Sequence, residues 1–417
     1  MSSPLDLHAI RAQFPGLART VAGQQALFLD GPAGSQVPRC VADAVHDVML
    51  HHNANHGGSF ATSVETDAMV DRARAACATF VGGSADEVVF GPNMTTLTFQ
   101  LSRALARTWQ PGDEVVVTAS DHDANVTPWV LAARDAGAVV RTVPLARDEA
   151  GLDLEALAAL LSPRTRLVAV GACSNLSGTV HDVARICAMA RAAGALTYVD
   201  AVHWAPHFRT DVRAWGCDFL ACSAYKFFGP HVGILWGRRE LLARLEPYKV
   251  RPAADEGPER WQQGTANFAC IAGTLAAVEY LASLGGTGDL AARLDAAFAR
   301  ICAHETDLAR RMLEGLGRID GVRILGVTNP ARAHARAATF SFTHPAARPA
   351  RLAQRLADAG VFCWSGNSYA LNLSQALGLE PPGVQQAGQP RWRGSSPCCP
   401  ACCLSSSGGR RRKRSRK

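Results

Sequence analysis

Between residues 87 and 236 the chain alternates short apolar runs with helix-length segments, and no other feature constrains its fold as tightly. Residues 114–118, 166–170, 196–200 and 218–222 are nearly continuous in apolar side chains. A strand with one face in water alternates polar with apolar residues. A continuous run marks a strand covered on both faces, hence a mainly parallel sheet. Segments rich in Ala and Arg, such as residues 183–193, supply the covering helices. The expected fold is therefore α/β, built on a large doubly wound, mainly parallel sheet. Ligands of such a sheet lie beyond the carboxyl ends of its strands.

A chain of 417 residues exceeds one ordinary core, so a second unit is expected. An N-terminal segment, residues 1–20, precedes the large domain, residues 21–265. Residues 266–380 then hold a long helical region to about residue 316, strands near 322–325 and 338–342, a helix near 351–359 and a strand after Gly360. This reads as connecting helices plus a smaller α+β domain. From about Pro381 the sequence turns to Gly, Pro, Gln, Ser, Cys and Arg without periodicity, and residues 381–417 are expected to be disordered.

Charge follows the same division. The net charge is +7, but residues 410–417 alone carry seven Lys and Arg, leaving 43 − 7 = 36 basic residues against 36 acidic ones before them. The body has no electrostatic reason to bind nucleic acid. A degenerate, non-catalytic protein whose basic tail engages nucleic acid is the alternative from another class. Nine cysteines are scattered from Cys40 to Cys363, as expected of reduced thiols, and Cys398, Cys399, Cys402 and Cys403 crowd around Pro400. That cluster lacks a second ligand group, so no metal is expected. No apolar run is long enough to cross a bilayer, the first residues lack a signal-peptide pattern, and a cytoplasmic location is expected.

Reactive residue types recur where strands are expected to end. Thr95 and Thr96 follow Gly91-Pro92-Asn93-Met94 and open a helix, where hydroxyls and free N–H groups hold a phosphate or merely cap the helix. His122 follows the run 114–118. Asp200 ends the run 196–200, facing the crevice or capping the next helix. Lys226 lies in Ser223-Ala224-Tyr225-Lys226, just past the run 218–222, where an amine whose charge is removed becomes a nucleophile. Each has an ordinary structural reading. Together they supply what pyridoxal phosphate (PLP) needs: a lysine to condense with its aldehyde, a carboxylate at the pyridine nitrogen, a plane over the ring and donors for the phosphate.

The same residues resemble the class V aminotransferase family, in its cysteine desulfurase and selenocysteine lyase branch, from about Phe28 to Asn372. Asp121-His122-Asp123-Ala124-Asn125, closing in Pro128-Trp129, looks like the family loop whose histidine stacks on PLP. Ser174-Asn175 with Gly178-Thr179 is similar to the segment that places an asparagine near the cofactor's phenolic oxygen and the substrate carboxylate. Asp200 matches the pyridine-nitrogen aspartate, and Ser223 and Lys226 match the phosphate serine and Schiff-base lysine. Gly264-Thr265-Ala266-Asn267 resembles the turn whose threonine reaches the phosphate in the partner subunit. The resemblance implies a PLP enzyme acting on an amino acid, in a homodimer with shared sites, by cysteine desulfurase-like β-lyase chemistry or as an aminotransferase.

The chain departs from that pattern at four places. His203 stands where the branch has glutamine, with a nitrogen for the phenolic oxygen, and Tyr225 stands where it has histidine, with a hydroxyl for the phosphate. Tyr369 falls where desulfurases carry the sulfur-accepting cysteine, and Cys363, on an expected strand, reads as packing. The arginine that clamps the substrate carboxylate has no counterpart, since Arg391 and Arg393 lie among Pro and Gly. The abrupt change after Gly383 resembles a shift of reading frame.

Overall fold

A computed structural model describes residues 5–147 and 149–380, together with the backbone of residues 402–405. The large sheet has seven strands: β1 (Val88–Gly91), β2 (Glu114–Thr118), β3 (Val139–Val143), β4 (Thr165–Gly171), β5 (Leu196–Asp200), β6 (Phe219–Ser223) and β7 (Gly233–Gly237). Their order across the sheet is β1-β7-β6-β5-β4-β2-β3. Neighbours from β3 to β6 run parallel, whereas β7 is antiparallel to both β6 and β1. The reversal has a simple cause. Residues 224–232 are fewer than the dozen or so that a parallel crossover needs, so the chain turns straight back.

Both faces of this sheet are buried, as the continuous apolar runs require. On β5, Val199 packs into one core with Val168 and Leu220, while Tyr198 faces the opposite core with Trp129 and Phe219. Helices Ala61–Val81, Val183–Ala192 and Phe268–Ser283 cover the first face; Met94–Ala106 and Thr127–Ala136 cover the second. Tyr198 keeps its hydroxyl partnered at depth, 2.6 Å from Thr98 Oγ1.

The helical region 266–316 is two helices, Phe268–Ser283 and Leu290–Leu316, separated by a turn at Gly285, Gly286 and Gly288. Beyond it, β8 (Arg323–Ile324), β9 (Thr339–Thr343), β10 (Trp364–Ser365) and β11 (Cys402–Ser405) form an antiparallel sheet in the order β8-β9-β11-β10. Two expectations change here. The strand after Gly360 is split: Val361–Phe362 pairs in parallel with Leu27–Phe28, and Trp364–Ser365 joins the small sheet. Cys402–Ser405 lies in the tail read as disordered, yet fills the gap between β9 and β10 and pairs with the facing edge of each. The rest of the tail, including the basic run 410–417, Arg391 and Arg393, lies outside the described residues.

Candidate active site

The carboxyl ends of β1, β2, β4, β5 and β6 open onto one cavity of about 440 Å³. Asn93 and Thr95 reach it from the exit of β1, Asp121 and His122 from β2, Asn175 from β4, Asp200 and His203 from β5, and Ser223, Tyr225 and Lys226 from β6. Residues 364–369 of the small domain close the side facing His122. Of the residues singled out from sequence, the structure brings together all but two.

Those two are Thr96 and Thr265. The Thr96 N–H and hydroxyl both donate to Asn93 Oδ1, at 2.9 and 3.1 Å, so Thr96 is held by the cap of its own helix, outside the cavity. Thr265 is exposed and does not line the cavity.

The β1 exit makes the cavity's anion corner. Asn93 is the N-cap of Met94–Ala106, and the Met94 N–H donates to Ser223 Oγ at 3.1 Å. The Ser223 hydroxyl therefore keeps its own hydrogen for another acceptor. Gly233 lets this corner come close to β7, because a Cβ there would stand 2.4 Å from the Asn93 carbonyl carbon.

His122 is held by a chain of buried polar groups. Trp129 Nε1 donates to Asn125 Oδ1 at 3.0 Å, Asn125 Nδ2 donates to Asp121 Oδ2 at 2.8 Å, and the Gly171 N–H donates to Asp121 Oδ1 at 2.8 Å. A side chain at Gly171 would collide with that carboxyl, its Cβ lying 2.8 Å from Asp121 Oδ1. His122 Nδ1 accepts from the Ala124 N–H at 3.0 Å. Burial, and then the Lys226 charge, push the His122 pKa down to about 4, so a neutral ring faces the cavity. Tyr369 flanks that ring, and the Asp123 N–H donates to the Tyr369 carbonyl at 2.7 Å. Asn175 Nδ2 donates to the neighbouring Ser368 carbonyl at 2.7 Å.

Asp200 and Lys226 are the charged pair of the site. Burial pushes Asp200 up to about 6, against the Val202 N–H bond to its Oδ1 (2.9 Å) and the field of Lys226. Lys226 Nζ donates to the Pro32 carbonyl and lies 5.1 Å from the Tyr225 ring centroid. Tyr225 in turn stacks on His231, centroids 5.0 Å apart.

Sequence reasoning assigns no role to Asp121 or Cys173. Burial pushes Asp121 up to about 8; the Gly171 hydrogen bond opposes this, and Asp200 adds to it. The acid is visible beside His122, but nothing in the sequence shows that it is enclosed. Cys173 lines the cavity as a protonated thiol, kept so by burial and then by Asp200. Cys363 packs instead against the small-domain core that holds Leu313, Phe340 and Phe342.

This arrangement fits PLP. A buried carboxylate faces a lysine across a cavity with an imidazole plane at one side and a helix N-terminus with a free hydroxyl at another. The chemistry of this donor set matches an aldehyde, a pyridine nitrogen, a flat ring and a phosphate. The class V aminotransferase pattern matches residues 27–387. The chain belongs to the class V aminotransferase family. Members of the class V aminotransferase family are PLP-dependent enzymes of lyase and transferase type, and this chain is cysteine desulfurase-like.

Among class V relatives, it is 34% identical over 397 residues to a probable cysteine desulfurase 2 of Mycobacterium leprae, covering 90% of this chain and 91% of that one. It is 35% identical over 339 residues to the cysteine desulfurase of Dickeya dadantii, covering 78% and 79%. The solved cysteine desulfurase of Thermococcus onnurineus superposes with a TM-score of 0.81 at 26% identity, covering 90% of this chain and 92% of that one. The cysteine desulfurase CsdA of Escherichia coli gives 0.78 at 25% identity, covering 97% and 94%. Among the described residues, no helix is long and apolar enough to cross a membrane.

Proposed function

We propose that this chain binds PLP in the Lys226 cavity and uses it to eliminate a β-substituent from an amino acid, without storing sulfur on a loop cysteine. The observation that carries the second half is at the 366–369 loop. Tyr369 occupies its tip beside His122, and Cys363, the nearest cysteine in sequence, is committed to the small-domain core.

In this reading Lys226 would hold the cofactor at its aldehyde end, and Asp200 would hold the pyridine nitrogen. His122 covers the ring, while Ser223, Thr95 and the first turn of Met94–Ala106 hold the phosphate, with the Tyr225 hydroxyl beside them. Asn175 and His203 face the remaining edge. Bound PLP supplies an electron sink for breaking bonds at the substrate's α-carbon. The neutral His122 imidazole spends its Nδ1 lone pair on the Ala124 N–H, so it carries its hydrogen on Nε2 and offers the cavity a ring face and a donor.

The reading includes a homodimer. Met49, Leu50, Phe60 and Val64 are all more than half exposed on or beside helices Arg39–His51 and Ala61–Val81, which are tied by a 2.6 Å contact between His52 Nδ1 and Glu65 Oε2. An apolar patch of this kind supports a protein partner. Exposed Thr265 then reaches the phosphate of the other subunit.

A half-reaction screen tests this function. Amino acids bearing β-leaving groups are added to the PLP-loaded protein, and sulfide, pyruvate, alanine and the amine form of the cofactor are measured. Pyruvate or an analogous keto acid, released without enzyme-bound persulfide, is the expected result. Accumulation of the cofactor's amine form assigns the chain to amino transfer instead.

A further inference from the structure

A second cavity, of about 250 Å³, lies against the first, and His203 and Lys226 line both. Its wall is largely apolar, made by Leu7, Ile10, Phe14, Phe28 and Phe228. Along one side, however, ionisable groups stand in file. His203 is 5% exposed, and its Nε2 lies 2.9 Å from Thr339 Oγ1. The His203 ring meets that of His207 edge to face, with centroids 5.3 Å apart at 69°. His207 Nδ1 lies 2.8 Å from Glu305 Oε2, and the Glu305 side chain is 26% exposed. The file thus begins at the main cavity and ends at solvent.

Packing alone does not explain it. Two adjacent imidazoles disfavour charge on each other, and apolar side chains would fill the same space without burying polar atoms. The main cavity, meanwhile, has a proton to dispose of. A zwitterionic amino acid arrives as an ammonium and loses a proton before its nitrogen acts as a nucleophile.

We propose that His203, His207 and Glu305 form a proton path between the Lys226 cavity and solvent. The proposal rests on reading that cavity as the place of amino-acid chemistry. His203 takes a proton on the ring nitrogen bearing a lone pair and releases the one on its other nitrogen, so the ring ends neutral. A water in the second cavity, which has room for several at about 30 Å³ each, carries the proton to His207. His207 holds it as an imidazolium beside the Glu305 carboxylate and passes it to solvent. One proton moves outward, and no bond between heavy atoms changes.

The surrounding charges favour this direction. Burial, then His207, Lys226 and His122, all keep His203 from retaining a proton. His207 faces Glu305, and Cys302 Sγ lies 3.2 Å from the His207 carbonyl, both on Leu290–Leu316. Arg11, Asp30, Tyr280 and His304 are the other ionisable groups around the second cavity.

Glu305→Gln and His207→Gln test the path, with two readouts. The first uses holoenzyme and an amino acid deuterated at its α-carbon, comparing loss of label to solvent with turnover across pH. The α-deuteron, once taken by a base in the Lys226 cavity, leaves by the same path, so blocking it favours return of the label, and the ratio of exchange to turnover falls about tenfold in both variants, with a shifted pH profile. The second uses the apo-protein and follows exchange of the His203 C2 hydrogen by mass spectrometry. In His207→Gln the midpoint for His203 rises by about half a pH unit or more, because a repelling neighbour is gone. Unchanged exchange ratio, pH profile and His203 midpoint, in variants that keep their melting temperature and cofactor, overturn the path and leave the proposed function standing. Wild-type protein that takes up no PLP strikes the function itself, and the apo-protein readout still decides whether the rings are coupled. Glu305→Gln, at a partly exposed side chain, decides the question alone if His207→Gln does not fold.

Discussion

The His122 and Tyr369 rings lie nearly parallel, with centroids 5.5 Å apart and 20° between their planes. They belong to different domains, so this contact closes the small domain over the sheet edge. Tyr369 is nevertheless 72% exposed, and its backbone is left-handed (φ 59°), as is that of Ser368 (φ 50°). Two consecutive non-glycine residues in that region are costly and persist where surrounding bonds demand them. Here the bonds are those from Asp123 and Asn175 to the Tyr369 and Ser368 carbonyls.

The Tyr369 ring, rather than its hydroxyl, is what the stack uses. Tyr369→Phe keeps kcat/KM within about twofold, whereas Tyr369→Ala lowers it about three- to tenfold, the size of a ring pair worth about 0.5–1.5 kcal/mol. Steady-state kinetics on the best substrate of the screen decide it. Equal losses in the two variants would assign the phenol a chemical role.

Cys363 is packing. Its half-buried thiol has a raised pKa, from burial first and then Asp30. Cys363→Ala is expected to leave turnover within about twofold while lowering stability by about 1 kcal/mol or less. Persulfide labelling during turnover should find no sulfur on this residue, and a modified Cys363 peptide would contradict the assignment.

The Asn93 cap serves both the fold and the anion corner. Asn93→Ala removes the acceptor for Thr96 and costs about 1 kcal/mol, read as a lower urea midpoint of the apo-protein. Cofactor affinity falls with it, because the first turn of Met94–Ala106 loosens. Thr95→Ala is expected to weaken PLP binding with little change in stability, and Thr96→Ala to do the reverse. Spectroscopic PLP titrations of the three variants separate these outcomes.

Asp121 gives the apo-protein an unusual pH dependence. Its folded pKa of about 8 lies far above the ordinary aspartate value of 3.8, so between those pH values the native state holds a proton that the unfolded chain releases. Stability contributed by this group is therefore present in acid and lost as pH rises through 8. In Asp121→Asn that loss is absent, and the difference between wild type and variant shrinks or changes sign from pH 5 to pH 8. Urea melts at the two pH values measure it. A difference independent of pH would show that Asp121 is ionised in the folded protein.

The sheet was legible because its strands are covered on both sides. Residues 114–118 and 196–200 could be read to the residue, since their apolar runs are compact and bounded by turn-forming sequence. The strand exits followed, and with them the neighbourhood of His122, Asp200 and Lys226. The small domain was less legible. Its strands are two to five residues long and gain their pairing from distant segments, so the stretch after Gly360 reads as one strand although residues 361–362 and 364–365 serve two sheets. Cys402–Ser405 gave no signal, because a four-residue strand has too little pattern to stand out from a low-complexity tail. Burial was the other blind spot. Asp121 reads as an ordinary loop acid until Gly171 and Asn125 are seen to enclose it.

Reduction of the PLP-loaded protein with borohydride tests the central claim most directly. Peptide mass spectrometry should then find the reduced cofactor on Lys226, and the yellow colour and the label should both be absent in Lys226→Ala. A protein that stays colourless with added PLP, or label on another lysine with Lys226 unmodified, would contradict it.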